Sequence, residues 1–249
     1  MDIPLFDAFS GFGGATPGQT AVVSAEECRA EMARLSIGGA LVRRVPEELE
    51  TDAEVSNDHL YAACAPYPDL LPCPIVLPSP RGDGPSEPEQ VAAHLGRGCG
   101  AAWIRPEADC WSLAPWCSDP LFAALAARRL PLLVLATVGF ERVGEVAARH
   151  PALPLLLAGV GYAQQRLLLP LLREFPNVHL LLGGAYAVPG GLEHLVAEVG
   201  PTRLLFGTGF PKTEPAAAVT YLMYAALGVE EKRLIGAGNL ERLLAEVVR

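Results

Sequence analysis

Eight short apolar runs, PLFDAF, GGALVRR, CPIVLP, GAAWIRP, LPLLVLA, LPLLLAG, VHLLLGG and TRLLFGT, recur along this chain at near-regular intervals. Most lack the in–out alternation of a half-exposed strand, so each reads as a strand buried on both faces, the condition of a parallel sheet covered by helices. Between them lie segments with helical spacing: SAEECRAEMARLS, NDHLYAACA, EPEQVAAHLGR, DPLFAALAARR, ERVGEVAARH, YAQQRLLLPLLREF and GLEHLVAEVG. EPAAAVTYLMYAALG and LERLLAEVV follow the eighth run. Eight βα units predict closure into a (β/α)8 TIM barrel, and 249 residues with 51% hydrophobic content suit one such domain over residues 1–249.

Punctuation supports the scheme. Ser24, Asp119 and Thr213 stand before helical segments as N-cap candidates, since their side-chain oxygens can accept from unpaired helix amides. PSPRGDGPSEPEQ, residues 78–90, reads as an exposed loop.

Charge and composition exclude several classes. A net charge of -9 and a pI near 5.1 argue against a nucleic-acid partner, which requires clustered Lys and Arg. Residues 1–20 show no basic segment leading into an apolar one, so no signal peptide is expected. The apolar runs are far too short for a membrane span. A cytoplasmic location is the expectation. The six cysteines lack the C-x-x-C spacing of a zinc clamp, and reduced, mostly buried thiols are expected.

Several stretches together resemble the amidohydrolase-2 type of TIM barrel, the group that includes metal-dependent hydrolases and the aminocarboxymuconate-semialdehyde type of decarboxylase. FDAFSGFG stands where that family carries D-x-H-x-H-x-G. YPDLLPCPIVLP and GCGAAWIRPE are similar to its third and fourth strands, and LREFPNVHLLLGG to its seventh. RLLFGTGFP is similar to its strand-eight G-S-D-x-P, and IGAGNLERLL to its closing G-x-N-A-x-R-L. The resemblance implies a divalent metal held at the carboxyl ends of the strands. The implied ligand positions are occupied by Phe9, Gly11, Gly159 and Gly209, with Leu135 or Ala136 in the place of the strand-five ligand. None of these side chains can coordinate a metal, so no metal and no cofactor is expected, and Phe9 is expected to fill the vacated space.

The histidines do not replace the lost set. His59, His94 and His194 fall in helical segments, His150 ends one, and His179 begins the seventh run, at the end opposite a barrel's usual chemistry. Polar residues remaining after the strands are Arg105, Glu107, Thr137, Tyr162, Tyr186, Thr208 and Lys212. Among them Arg105, Glu107, Tyr162, Tyr186 and Lys212 are the catalytic candidates: Arg105 for an anion, Glu107 for proton transfer, either Tyr for a carbonyl. The alternative for Arg105 and Glu107 is that they pair with each other or with nearby loops. GGAYAVPGG and GTGFPK suggest a weaker phosphate site, and WSLAPW a lid or subunit contact.

Three functions remain open at this point. One is a barrel with a degenerate metal site that binds a small anionic or carbonyl-containing ligand as a pseudoenzyme. The second is a metal-independent hydrolase or decarboxylase-like lyase. The third is a structural subunit partnering an active homologue, and a homo-oligomer is possible in any of these cases.

Overall fold

A computed structural model describes residues 3–14, 22–45, 52–79, 84–183 and 186–249. Among them the chain alternates strands and helices as β1 (Phe6–Phe12), α1 (Ala25–Arg34), β2 (Gly39–Arg44), α2 (Ala53–Cys64), β3 (Leu70–Pro72), α3 (Glu87–Gly96), β4 (Ala102–Trp103) and α4 (Pro115–Ala127). It continues with β5 (Leu132–Leu135), α5 (Phe140–Arg149), β6 (Leu155–Ala158), α6 (Gln165–Glu174), β7 (Val178–Leu181), α7 (Gly191–Val199) and β8 (Leu204–Leu205). Helices α8 (Pro215–Tyr224), α9 (Val229–Arg233) and α10 (Asn239–Ala245) complete the described chain.

All strand pairs are parallel, in the orders β1-β2-β3 and β4-β5-β6-β7-β8. The two sets meet through Trp103 N donating to Pro74 O (2.9 Å) and Val76 N to Trp103 O (3.1 Å). On the other side, Ala8 N donates to Phe206 O (2.9 Å) and Gly209 N to Phe9 O (2.7 Å). These bonds close the (β/α)8 barrel.

The leucine-rich runs sort by parity, as a strand with two buried faces requires. Leu132, Val134, Leu155, Leu157, Val178, Leu180 and Leu204 pack outward into the layer beneath the helices. Leu133, Leu156, Ala158, Leu181 and Leu205 pack inward with Ala8, Leu41, Cys73, Ile75 and Trp103. Asn239, in the closing motif, ties α10 to the start of β8 by donating to Pro201 O (2.8 Å) and Leu204 O (2.9 Å). Asn177, in the Pro-Asn pair before β7, donates to the carbonyls of Ala147, His150 and Leu153 at 3.0–3.2 Å.

Several local expectations are corrected. The third strand begins at Leu70 and is interrupted before Ile75, because Pro72 and Pro74 cannot donate to a ladder. Ser24 does cap α1, with a reciprocal capping box to Glu27. Asp119 does not cap; α4 begins earlier, with Pro115 in its first turn, and Asp119 pairs with Arg149 and His150. Glu214 rather than Thr213 caps α8, while Thr213 Oγ1 donates back to Thr208 O. Trp116 belongs to α4 and is 83% exposed, so it is no lid; Trp111 packs against Phe122. His94 and His179 are buried. Residues 80–83 of the expected loop and residues 184–185 of GGAYAVPGG lie outside the described residues. No helix among the described residues is long and apolar enough to cross a membrane.

Candidate active site

The mouth at the carboxyl ends of the strands is organised around Arg43, which the reading of the sequence did not single out. In β2, Ala40 and Val42 pack outward while Leu41 faces the barrel, and the same parity turns Arg43 inward. Arg43 is only 7% exposed. Its guanidinium carbon lies 4.5 Å from the centre of the Phe9 ring and 5.3 Å from that of Trp103. Burial pulls its pKa down to about 10, an effect that nearby Asp7 opposes in part, so it remains a cation at neutral pH. Nε is buried and has no hydrogen-bond partner among the described residues.

Arg43, Val45, Trp103, Ile104, Arg105, Pro106, Glu107, Leu135, Thr137 and Val138 surround a cavity of about 370 Å³. Arg105 is on its wall, held by Asp109: Nη2 donates to Oδ1 at 2.7 Å and Nε to Oδ2 at 3.2 Å. Both side chains are almost wholly inaccessible, at 6% and 5%. The turn from Arg105 to Asp109, closed by a backbone bond of 2.9 Å, places the two a helical turn apart. Of the two alternatives for Arg105, pairing with Glu107 or with a nearby loop, the structure has the second, with Asp109, and Glu107 stands exposed at the rim.

The other candidates do not converge on this cavity. Tyr162 is exposed and meets Tyr186 edge-on, with ring centres 6.3 Å apart. Tyr186 is buried in the layer beneath the helices, where burial raises its pKa and its hydroxyl has no partner among the described residues. Lys212 is exposed beside Gly14. Thr208 is a tie rather than a mouth residue, since its backbone N–H and its hydroxyl donate to Asp7 at 3.0 and 2.5 Å. Asp7 also accepts from Phe9 N at 2.9 Å; its pKa is raised chiefly by burial, against these bonds.

The places that resemblance assigned to metal ligands can now be tested against a divalent ion. Phe9 is half-buried, packed on the inner layer, and its ring takes the room left by Gly207 and Gly209. A Cβ at Gly207 would come within 3.0 Å of Phe9 Cβ, and one at Gly209 within 3.7 Å of the ring. Gly11 is pressed on β2, so that a Cβ there would lie 2.5 Å from Arg43 O; a larger residue requires the backbone to move. The pairing of β1 with β2 shifts register between Asp7 and Ser10, which accounts for this placement. Gly159 and Gly209 both have φ of +73°, where side chains are strained. Of the strand-five alternatives, Leu135 lines the cavity and Ala136 packs outward. Among the described residues, no three His, Cys, Asp or Glu side chains come together as a metal site would need. The donor set present does not fit a divalent cation, and the group turned inward at the mouth is the guanidinium of Arg43, which repels one.

The sequence profile of the amidohydrolase family matches residues 11–245. No curated protein matches the chain significantly. Among solved structures, an uncharacterised TIM-barrel protein from Bordetella bronchiseptica superposes with a TM-score of 0.70 at 20% identity, over 91% of this chain and 84% of that one. The 2,6-dihydroxybenzoate decarboxylase from Rhizobium gives 0.73 at 15% identity, over 98% and 99%. The 5-carboxyvanillate decarboxylase from Novosphingobium aromaticivorans, complexed with manganese and 4-hydroxy-3-methoxy-5-nitrobenzoic acid, gives 0.70 at 16% identity, over 97% and 96%. At such identities the likeness speaks for the fold.

Proposed function

The chain belongs to the amidohydrolase family, and on that premise we propose that it is a member whose barrel mouth has given up metal-activated water and binds a small anionic or carbonyl-containing ligand without a metal. The observation that carries this reading is Gly11. Its neighbour Arg43 O leaves no space for any side chain at the second first-strand position, and Phe9 occupies the first. A metal-bound hydroxide needs several ligands converging on one point with an open coordination position. The mouth offers instead a buried guanidinium, an ion-paired arginine and aliphatic walls.

A second reading is supported by the cavity wall and by the decarboxylases among the structural neighbours. In it the chain is a metal-independent lyase in which Arg105 positions a carboxylate and Glu107 moves a proton. Tyr162, Tyr186 and Lys212 have no part in that version, because they do not line the cavity.

Elemental analysis of protein purified without chelators tests the first reading. The expected result is no stoichiometric zinc, manganese or iron, and one tightly bound ion per chain overturns it. Carbon dioxide release from hydroxybenzoates by the same metal-free preparation separates the second reading from the first.

A further inference from the structure

Arg105, Arg203 and Arg43, each at least half-buried, are treated in two ways. Arg105 has the carboxylate of Asp109, and Arg203 donates to the carbonyls of Phe175 and Val178. Arg43 is more buried than Arg203, yet it meets two aromatic rings and no acceptor among the described residues. Ring faces attract the charge of a guanidinium but leave its in-plane N–H donors unused, and a buried donor left unmade costs free energy. Asp7 does not supply the missing acceptor, since the hydrogen bonds it accepts among the described residues come from Phe9 N and Thr208 and none from Arg43.

We propose that Arg43 is the anion-binding residue of the barrel, and that its guanidinium receives the carboxylate of a small monoanion with an apolar body, seated in the 370 Å³ cavity against Trp103. The proposal rests on the reading of the mouth as metal-free, and it names the ligand class for that site.

Three features select this class. A guanidinium offers parallel N–H donors that match the two oxygens of a carboxylate. The walls formed by Val45, Trp103, Ile104, Leu135 and Val138 suit an apolar body, and the volume falls within the range of small-molecule pockets. The charges favour a single negative charge: among the described residues lining the cavity, Arg105 is neutralised by Asp109, Glu107 stands exposed at the rim, and Arg43 is the one cation without an ion pair. A dianion would meet Glu107 without a second free cation among those described residues. In this arrangement Phe9 and Trp103 hold the guanidinium in place before the ligand arrives, which lowers the ordering cost of binding.

The test is calorimetric titration of the whole chain, stripped of metal, with three probes: benzoate, its neutral isostere benzamide, and inorganic phosphate. Benzoate is expected to bind, with benzamide and phosphate each weaker by about tenfold or more, the loss that corresponds to one charge-assisted hydrogen bond. Arg43→Gln is expected to lose benzoate by a similar factor while binding of benzamide is unchanged, and Arg43→Lys to retain part of it. Failure of benzoate to bind the wild type, equal binding of benzamide, or unchanged benzoate affinity in Arg43→Gln overturns the proposal. Should Arg43→Gln not fold, Arg43→Lys and the ratio of benzoate to benzamide decide. A stoichiometric metal in the untreated protein defeats the metal-free reading by itself, whereas these titrations on stripped protein judge Arg43, so the two failures are told apart.

Discussion

Replacing Phe9 with alanine probes what fills the space at the end of β1. The ring packs on the inner layer, beside Gly207 and Gly209, with Arg43 at 4.5 Å. Truncating a fully buried phenylalanine costs about 3–5 kcal/mol, and the part of Phe9 that still meets water scales this to about 2–3 kcal/mol. Losing the ring also removes its attraction for a largely desolvated guanidinium, about 0.5–2 kcal/mol more. Phe9→Ala is therefore expected to destabilise the barrel by about 2.5–5 kcal/mol in total. Denaturant unfolding followed by circular dichroism measures the change, with Phe9→Leu as the control that keeps most of the volume and discards the ring face. The same pair measured in an Arg43→Gln background isolates the contact between the two residues, which should appear as a coupling of about 0.5–2 kcal/mol. A loss within about 0.5 kcal/mol, the range of surface substitutions, would refute the reasoning and mean that the mouth is open and wet around Phe9.

Two further perturbations bear on the site and the core. Gly11→His should destabilise the chain by at least about 1–3 kcal/mol, as overpacking does, and should bring no zinc into the protein; a rise in melting temperature on adding zinc would refute the placement of Gly11. Burial lowers the pKa of His94 to about 4 and of His179 to about 3, so each stays neutral in the folded chain while its unfolded form takes a proton near 6.5. The unfolded state then binds more protons below that pH, and stability is fully present above about 6.5 and falls by up to about 1.4 kcal/mol per pH unit for each histidine between there and its folded pKa. Unfolding midpoints between pH 7 and 4.5 check the slope, and an unchanged slope in His179→Asn would contradict the assignment to that residue.

Most of the barrel could be read from the sequence because β5 to β8 are nearly pure leucine runs whose two faces are both buried, a pattern that survives without any tertiary knowledge. Where the reading failed, a proline nearby or a neighbour distant in sequence decided. The third strand moved because Pro72 and Pro74 remove donors on the side facing β4, and α4 began early because Pro115 suits a first helical turn better than Asp119 does. Arg105 was legible as a mouth residue, but its partner Asp109 was not named. Arg43 passed unnoticed inside GGALVRR, where an arginine at a strand end looks like any solvated residue. Its surroundings come from Phe9 on one strand and Trp103 on another, and no local pattern encodes such a meeting. The parity of Leu41 and Arg43 in β2 was the signal that would have found it.

The closure of the barrel between Pro72 and Trp103 gives the mouth a mechanical character. On that flank two prolines contribute no donors, and the wall is stitched by a few backbone bonds from Gly100, Trp103 and Val76. Arg43 stands on one side of this stitching and Trp103 with Arg105 on the other, so the cavity straddles a sparsely bonded line of the wall. A molecule held between them acts as a rivet. Its arrival would slow the breathing of the Val76 and Trp103 amides, while those of the β5–β6 ladder, already bonded along their length, would keep the exchange rates they have in the empty protein.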